Sequence, residues 1–279
     1  MSTATRRNLL WSALAIAAAA LALSGAVDRL GEAGAAEALK RALVTFAVSR
    51  ALNGAISVAQ GTELAIEPAG VGVILTLGQV LDPINDLVER FSTVMLVAAS
   101  SLGLQSLLLD ITSTGAFTAA LCAGAVLLLV TAWSPGEKLQ RWSQPARRLL
   151  LALLFLRFAI PVLVILSNLV FDTYLESAQA QSVSALEGVQ TQIEEINESP
   201  APAPDASLTA RLGAMLDRSM DAMDFGDRID QLQAQVTDAS EHIINLIVIF
   251  VLQTILLPVA FIWLLVEALK GIGRRLTGG

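Results

Sequence analysis

Residues 149–171 read LLLALLFLRFAIPVLVILSNLVF, and this stretch decides the fold. At 1.5 Å per helical residue it is long enough to cross a hydrocarbon layer roughly 30 Å thick. Its only interruptions are Arg157, Pro161 and the Ser167–Asn168 pair near its end. Comparable apolar runs occupy residues 9–27, 91–109, 115–133 and 243–266, with a more dilute one at 42–59. The composition agrees: 54% of the chain is hydrophobic and 15% charged, against about 45–50% and about 25% in soluble domains. We expect an all-α, multi-pass transmembrane bundle of four to six spans.

The organisation follows from where charge collects. Residues 1–171 form a membrane domain with spans at 9–27, 42–59, 91–109, 115–133 and 149–171, and residues 243–279 hold a final span and a basic tail. Between them, residues 172–242 carry 14 acidic residues against Arg211, Arg218 and Arg228, so this segment is strongly negative while the rest of the chain is weakly positive. Arg6 and Arg7 precede the first run, which has the layout of a signal anchor; its length exceeds the usual cleaved signal-peptide core of about 7–15 residues. Lys138, Arg141, Arg147 and Arg148 fill the loop before 149–171, and Lys270, Arg274 and Arg275 follow the last run. Clustered Lys and Arg mark the cytoplasmic side. Both termini and the 134–148 loop are therefore expected inside a cell membrane, most simply a bacterial inner membrane.

An even number of crossings must separate those three basic regions. Residues 42–59 and 91–109 thus both cross, giving six spans, or both fail to, giving four. Six is the expectation, although Arg50 in one run and Arg29, Lys40 and Arg41 in the intervening external loop count against it. Residues 33–60 read as a helix with Leu43, Val44, Ala47, Ala51 and Val58 on one side and Thr45, Ser49, Asn53 and Ser57 on the other. Gly61–Gln79 loses the helical period and contains two β-like runs, 64–66 and 71–77, which predict a small hairpin or ordered loop. Asp82–Pro83 reads as a helix start. The four tryptophans, Trp11, Trp133, Trp142 and Trp263, are expected in an interfacial belt.

The 172–242 segment reads as an antiparallel helical hairpin on the extracytoplasmic side. Leu186, Val189, Ile193 and Ile196 form the 3,4-spaced seam of one arm, and Ile229, Leu232 and Val236 that of the other. The Pro-rich stretch 199–204 forms the tip. Seams of two to three heptads are short for an independent coiled coil, which implies partners: the other arm, another copy, or a second protein.

Arg157 is the sharpest chemical signal. It lies roughly 12 Å into its span, where a charge costs on the order of 3 kcal/mol, so it requires a partner or water. Pro161 cannot donate to the Arg157 carbonyl and frees that oxygen. With Asp110 as the expected counter-ion and Gln105, Asn168, Asn245 and Gln253 nearby, this makes a candidate intramembrane polar site. It serves either to fix helix register or to line a conduit. Catalytic chemistries lack their motifs. One histidine, His242, and one cysteine, Cys122, exclude HExxH and CxxC metal sites. No GxSxG elbow or P-loop occurs, and no aqueous segment is basic enough for nucleic acid. We expect no enzyme activity, cofactor or metal, but a membrane scaffold or sensor that self-associates or binds a partner through 172–242; the alternative is a channel or transporter.

Overall fold

The computed structural model describes residues 3–60, 63–66, 73–197, 234 and 237–277. The helices are α1 (Thr3–Ser24), α2 (Ala26–Gln60), α3 (Leu77–Ser113), α4 (Gly115–Trp133), α5 (Glu137–Gln140), α6 (Ser143–Tyr174) and α7 (Glu176–Asn197). After them come α8 (237–251), a π turn (Leu252–Leu256) and α9 (Leu257–Thr277). Two short strands, β1 (Glu63–Ile66) and β2 (Val73–Thr76), pair antiparallel in the register Glu63 with Thr76 through Ile66 with Val73. That ribbon falls where the period breaks in the sequence. Because β2 runs directly into α3, the helix begins at Leu77 and not at Asp82.

Five helical segments are long and apolar enough to cross a membrane: Thr5–Ser24, Ile84–Ser113, Gly115–Trp133, Glu137–Tyr174 and Thr237–Ile272. Among the described residues, α2 contributes no such segment; Arg50 and Asn53 dilute the apolar content of 42–58.

The chain divides into two compact units. The first comprises residues 1–41, 98–174 and 251–279. In it, Trp11, Ala15, Ala18 and Ala22 of α1 pack with Leu121, Ala125 and Leu128 of α4 and with Ala146, Leu150 and Phe158 of α6. Small residues let the backbones approach, which is how helices pack where lipid removes the hydrophobic drive between them. Gly124 shows how close the approach is, since a Cβ there would sit 2.7 Å from Leu153 Cδ1. Gly31 and Gly34 do the same for α2 on α6: Cβ atoms would lie 3.5 Å from Pro161 Cα and 2.6 Å from Asn168 Nδ2.

These contacts also fix direction. Asn8 bonds Arg147, Asp28 bonds Arg157, Gly31 touches Pro161 and Arg41 reaches Asn168, so α1 and the start of α2 advance together along α6. Gly25, at φ +62°, bends this path without turning it back. Running the other way, Leu109 of α3 lies against Gly31, Thr118 of α4 against Arg157, and Ala132 against Asn8. The Ser113–Gly115 break therefore does not reverse the chain either. The helix expected from residue 33 begins earlier, at Ala26, and its 28–41 stretch, an external connection in the six-span expectation, is packed on α6.

The second unit comprises residues 42–97 and 175–250, so α7 and α8 share a unit with the end of α2 and the start of α3. Its buried apolar residues include Leu52 and Ile56; Ile84, Val88, Phe91 and Met95; Leu186 and Ile193; and Ile243, Leu246 and Phe250. On α2 the buried side mixes apolar residues and hydroxyls. Thr45 and Ser49 are fully buried, while Leu43, Val44 and Val58 are exposed. Hydroxyls are small and can be satisfied inside a bundle, as Ser92 Oγ donates to Ser49 Oγ at 3.1 Å and Gln179 Nε2 donates to Thr45 Oγ1 at 3.2 Å. The tryptophan belt is corrected in one member, since Trp11 is wholly buried whereas Trp133, Trp142 and Trp263 are exposed.

Close approach at Gly34 gives a direct test. Gly34→Leu forces Asn168 from its place and is expected to destabilise the protein by about 1–3 kcal/mol, read as a lowered melting temperature in detergent. Gly103→Leu, where a Cβ meets nothing within 4 Å, should leave that temperature unchanged.

Candidate functional site: the intramembrane polar groups

Arg157 is 1% exposed and its charge is met by Asp28. Nη1 donates to Asp28 Oδ1 at 2.7 Å and Nη2 to Oδ2 at 2.5 Å, a bidentate fork, while Nε donates to Thr118 Oγ1 at 3.2 Å. Planar two-point pairing is the strongest way to hold a guanidinium out of water. Asp28 sits in the first turn of α2, where the helix dipole favours a carboxylate. The expected partner, Asp110, is exposed at the end of α3 and does not pair with Arg157. Its place one turn from the end of a span suggested proximity, but α3 directs Leu109 inward and Asp110 outward. Asp28 was legible in principle, being the first carboxylate after the first apolar run; the six-span expectation, which makes 28–41 an external connection, hid it.

Three other expected residues do converge. Gln105, Asn168 and Gln253 line a small cavity of about 10 Å³ with Ala35, Ala38, Leu102, Val164 and Ser167. That is room for about one water. Gln253 lies in the π turn and is 2% exposed; its Oε1 and the Ser167 Oγ have no hydrogen-bond partner. Asn168 is spent on structure, its Oδ1 accepting from Arg41 Nη2 at 2.7 Å and its Nδ2 donating to Val164 O at 3.1 Å. Arg41 in turn stacks on Phe171 at 3.9 Å and pairs with Glu37 at 3.2 Å and Asp172 at 3.8 Å. Pro161 faces Gly31, and Asn245 is exposed in the second unit. The seven residues singled out by sequence thus separate into a paired charge, three members of a tight polar cavity, and three outliers, Asp110, Pro161 and Asn245.

A second arginine went unrecognised because it reads as a loop cation. Arg147 is 3% exposed, donates from Nη2 to Asn8 Oδ1 at 2.8 Å and lies 5.8 Å over the Trp11 ring. Arg41, Arg147 and Arg157 together pin α1 and α2 to α6 at three levels.

In the second unit, Leu186 and Ile193 of the expected hairpin seam are buried and Val189 is half-buried. The side chains of Ile196, Ile229, Leu232 and Val236 lie outside the described residues. His242 Nδ1 is 3.2 Å from Ser182 Oγ, and its Nε2 is 3.6 Å from Asp238. This order resembles a nucleophilic triad, yet Ser182 is 2% exposed and a buried hydroxyl leaves a substrate carbonyl no approach. Among the described residues no group of three metal-ligating side chains occurs. No protein-family model, curated protein or solved structure matches this chain.

Breaking a buried pair from one side costs about 3–5 kcal/mol, whereas replacing both members by apolar residues is often neutral. Arg157→Leu and Asp28→Leu are each expected to lower the melting temperature strongly and the double Leu variant to recover most of the loss. Asp110→Asn should have no effect.

Proposed function

We propose that this chain is a non-enzymatic multi-pass membrane protein, a scaffold or sensor that crosses a cell membrane four times and holds a partner protein or another copy through its acidic 172–242 segment. The observation that carries the reading is the paired Arg157–Asp28–Thr118 set. A conduit keeps its charged group available to the permeant species; here, at the wall of a cavity of about 510 Å³, the charge of Arg157 is met by Asp28 and three of its five N–H groups donate within the protein, as a helix lock uses them.

This reading takes four crossings, supported by the directions of the helices in the first unit. There the path from Ala98 to Trp133 runs one way and, at 1.5 Å per residue, is longer than one hydrocarbon layer is thick. Ile84–Ser113 and Gly115–Trp133 therefore share a single passage, as do α1 and the start of α2. With α6 and the α8–α9 rod this makes four, an even number that keeps the three basic regions on one side, the cytoplasmic one.

Since Leu186 and Ile193 are turned inward, a partner meets the other side of α7, where Glu187 and Glu194 are exposed. The complementary surface is basic. A second reading, a conduit for ions, draws on the orphaned Ser167 and Gln253 oxygens at the π turn, an arrangement frequent at functional sites.

Reconstitution in liposomes separates the two. The purified protein should pass no K⁺, Na⁺, H⁺ or Cl⁻ above empty vesicles at either polarity of voltage; flux that changes in Gln253→Leu would establish the conduit. Partner or self-crosslinking in membranes should fall at least about fivefold in Glu187→Lys/Glu194→Lys, since like charges at a complementary interface cost several kcal/mol. Unchanged crosslinking would remove α7 from the interface.

A further inference from the structure

One end of the first unit carries cations that its own side chains do not neutralise. Arg147 is buried with its Nε unpartnered, and the Nε of Arg7 is buried and unpartnered as well. The two like charges act on each other, because Arg7 precedes the asparagine that Arg147 binds. Among the described residues no carboxylate forms an ion pair with either. Lys138, Arg141 and Arg148 add exposed charges from α5, the residue after it and the start of α6, against a single exposed carboxylate, Glu137. Beside these cations α4, α5 and α6 form an apolar groove of about 440 Å³, lined chiefly by Leu127, Val130, Leu139, Trp142, Pro145 and Leu149. The one hydroxyl in it, that of Thr131, is already bonded to the Leu127 and Leu128 carbonyls. Trp142 is 58% exposed, the posture of a ring at a membrane–water boundary.

We propose that this end of the protein is a binding site for an anionic phospholipid. Its phosphate is held by Lys138, Arg141 and Arg148, in the positive field of Arg7 and Arg147 behind them, and one acyl chain lies in the groove against Trp142. Both halves of the ligand are required by what is present. A soluble anion has no use for the groove, and a zwitterionic lipid leaves the five cations without a counter-charge. Basic residues near a bilayer surface each contribute about 1 kcal/mol toward anionic lipid, and the groove confines that attraction to one molecule.

The test uses the full chain in nanodiscs of phosphatidylcholine alone or with one fifth phosphatidylglycerol, reading retained lipid by native mass spectrometry and stability by thermal melting. Wild type should retain phosphatidylglycerol in preference to phosphatidylcholine and melt at a higher temperature in its presence. Lys138→Gln/Arg141→Gln/Arg148→Gln, which alters only exposed side chains, should weaken that retention by at least about tenfold without lowering the melting temperature in phosphatidylcholine. Trp142→Ser should weaken it too while keeping all five charges. Equal retention of the two lipids, or retention unchanged in the triple variant, would overturn the proposal. So would an equal melting shift from glycerol phosphate or inorganic phosphate, which identifies a site for free anions.

Discussion

A guanidinium close to the middle of an apolar helix cannot be left alone, and most of the first unit follows from how Arg157 is satisfied. Its carboxylate comes from Asp28, so the first turn of α2 must lie at the depth of Arg157 and α1 must end beside it. Gly25 supplies the bend that permits this, and the glycines and alanines that follow in α2 keep the helix close enough to α6 for the fork to close. Thr118 takes the Nε–H, which sets the depth of α4. One interaction thereby positions three helices around the fourth.

Polar groups elsewhere obey the same rule at lower cost. In the second unit Thr45, Ser49, Ser92, Gln179 and Ser182 are buried and bonded to one another or to His242 across helices, while Leu43, Val44 and Val58 of α2 face outward and Leu52 and Ile56 inward. Interhelical polar contacts specify which residues meet, because any slip of register leaves a buried group unsatisfied. The Arg157–Asp28 pair obeys it at the highest cost and so acts as a lock between α2 and α6.

The sequence carried the helical, membrane-spanning character openly, because an apolar run such as 149–171 admits one interpretation in a chain of this composition. It also carried the break in period that became the β1–β2 ribbon, and three of the residues around the tight polar cavity. It concealed the partner of Arg157, since Asp28 and Asp110 both border apolar runs and only the continuity of α1 into α2 decides between them. Arg147 was hidden by its company, being one of four cations in a short basic stretch. Helix α2 shows the underlying difficulty: with Leu43 and Val44 exposed and Thr45 and Ser49 buried beside Leu52 and Ile56, helical periodicity reports a stripe without reporting which side of it faces in.

The central claim is that the chain passes through the first unit without turning back at Gly25 or at Thr114. Ser57→Cys in a Cys122→Ala background tests it most directly, because Ser57 is exposed on α2 beyond Gly25. A membrane-impermeant maleimide added on the extracytoplasmic side is expected to label it, since a path that does not turn back carries the end of α2 out on that side. Protection from that side, with labelling only after permeabilisation, is the result of a reversal that returns residues 42–59 across the membrane and would contradict it.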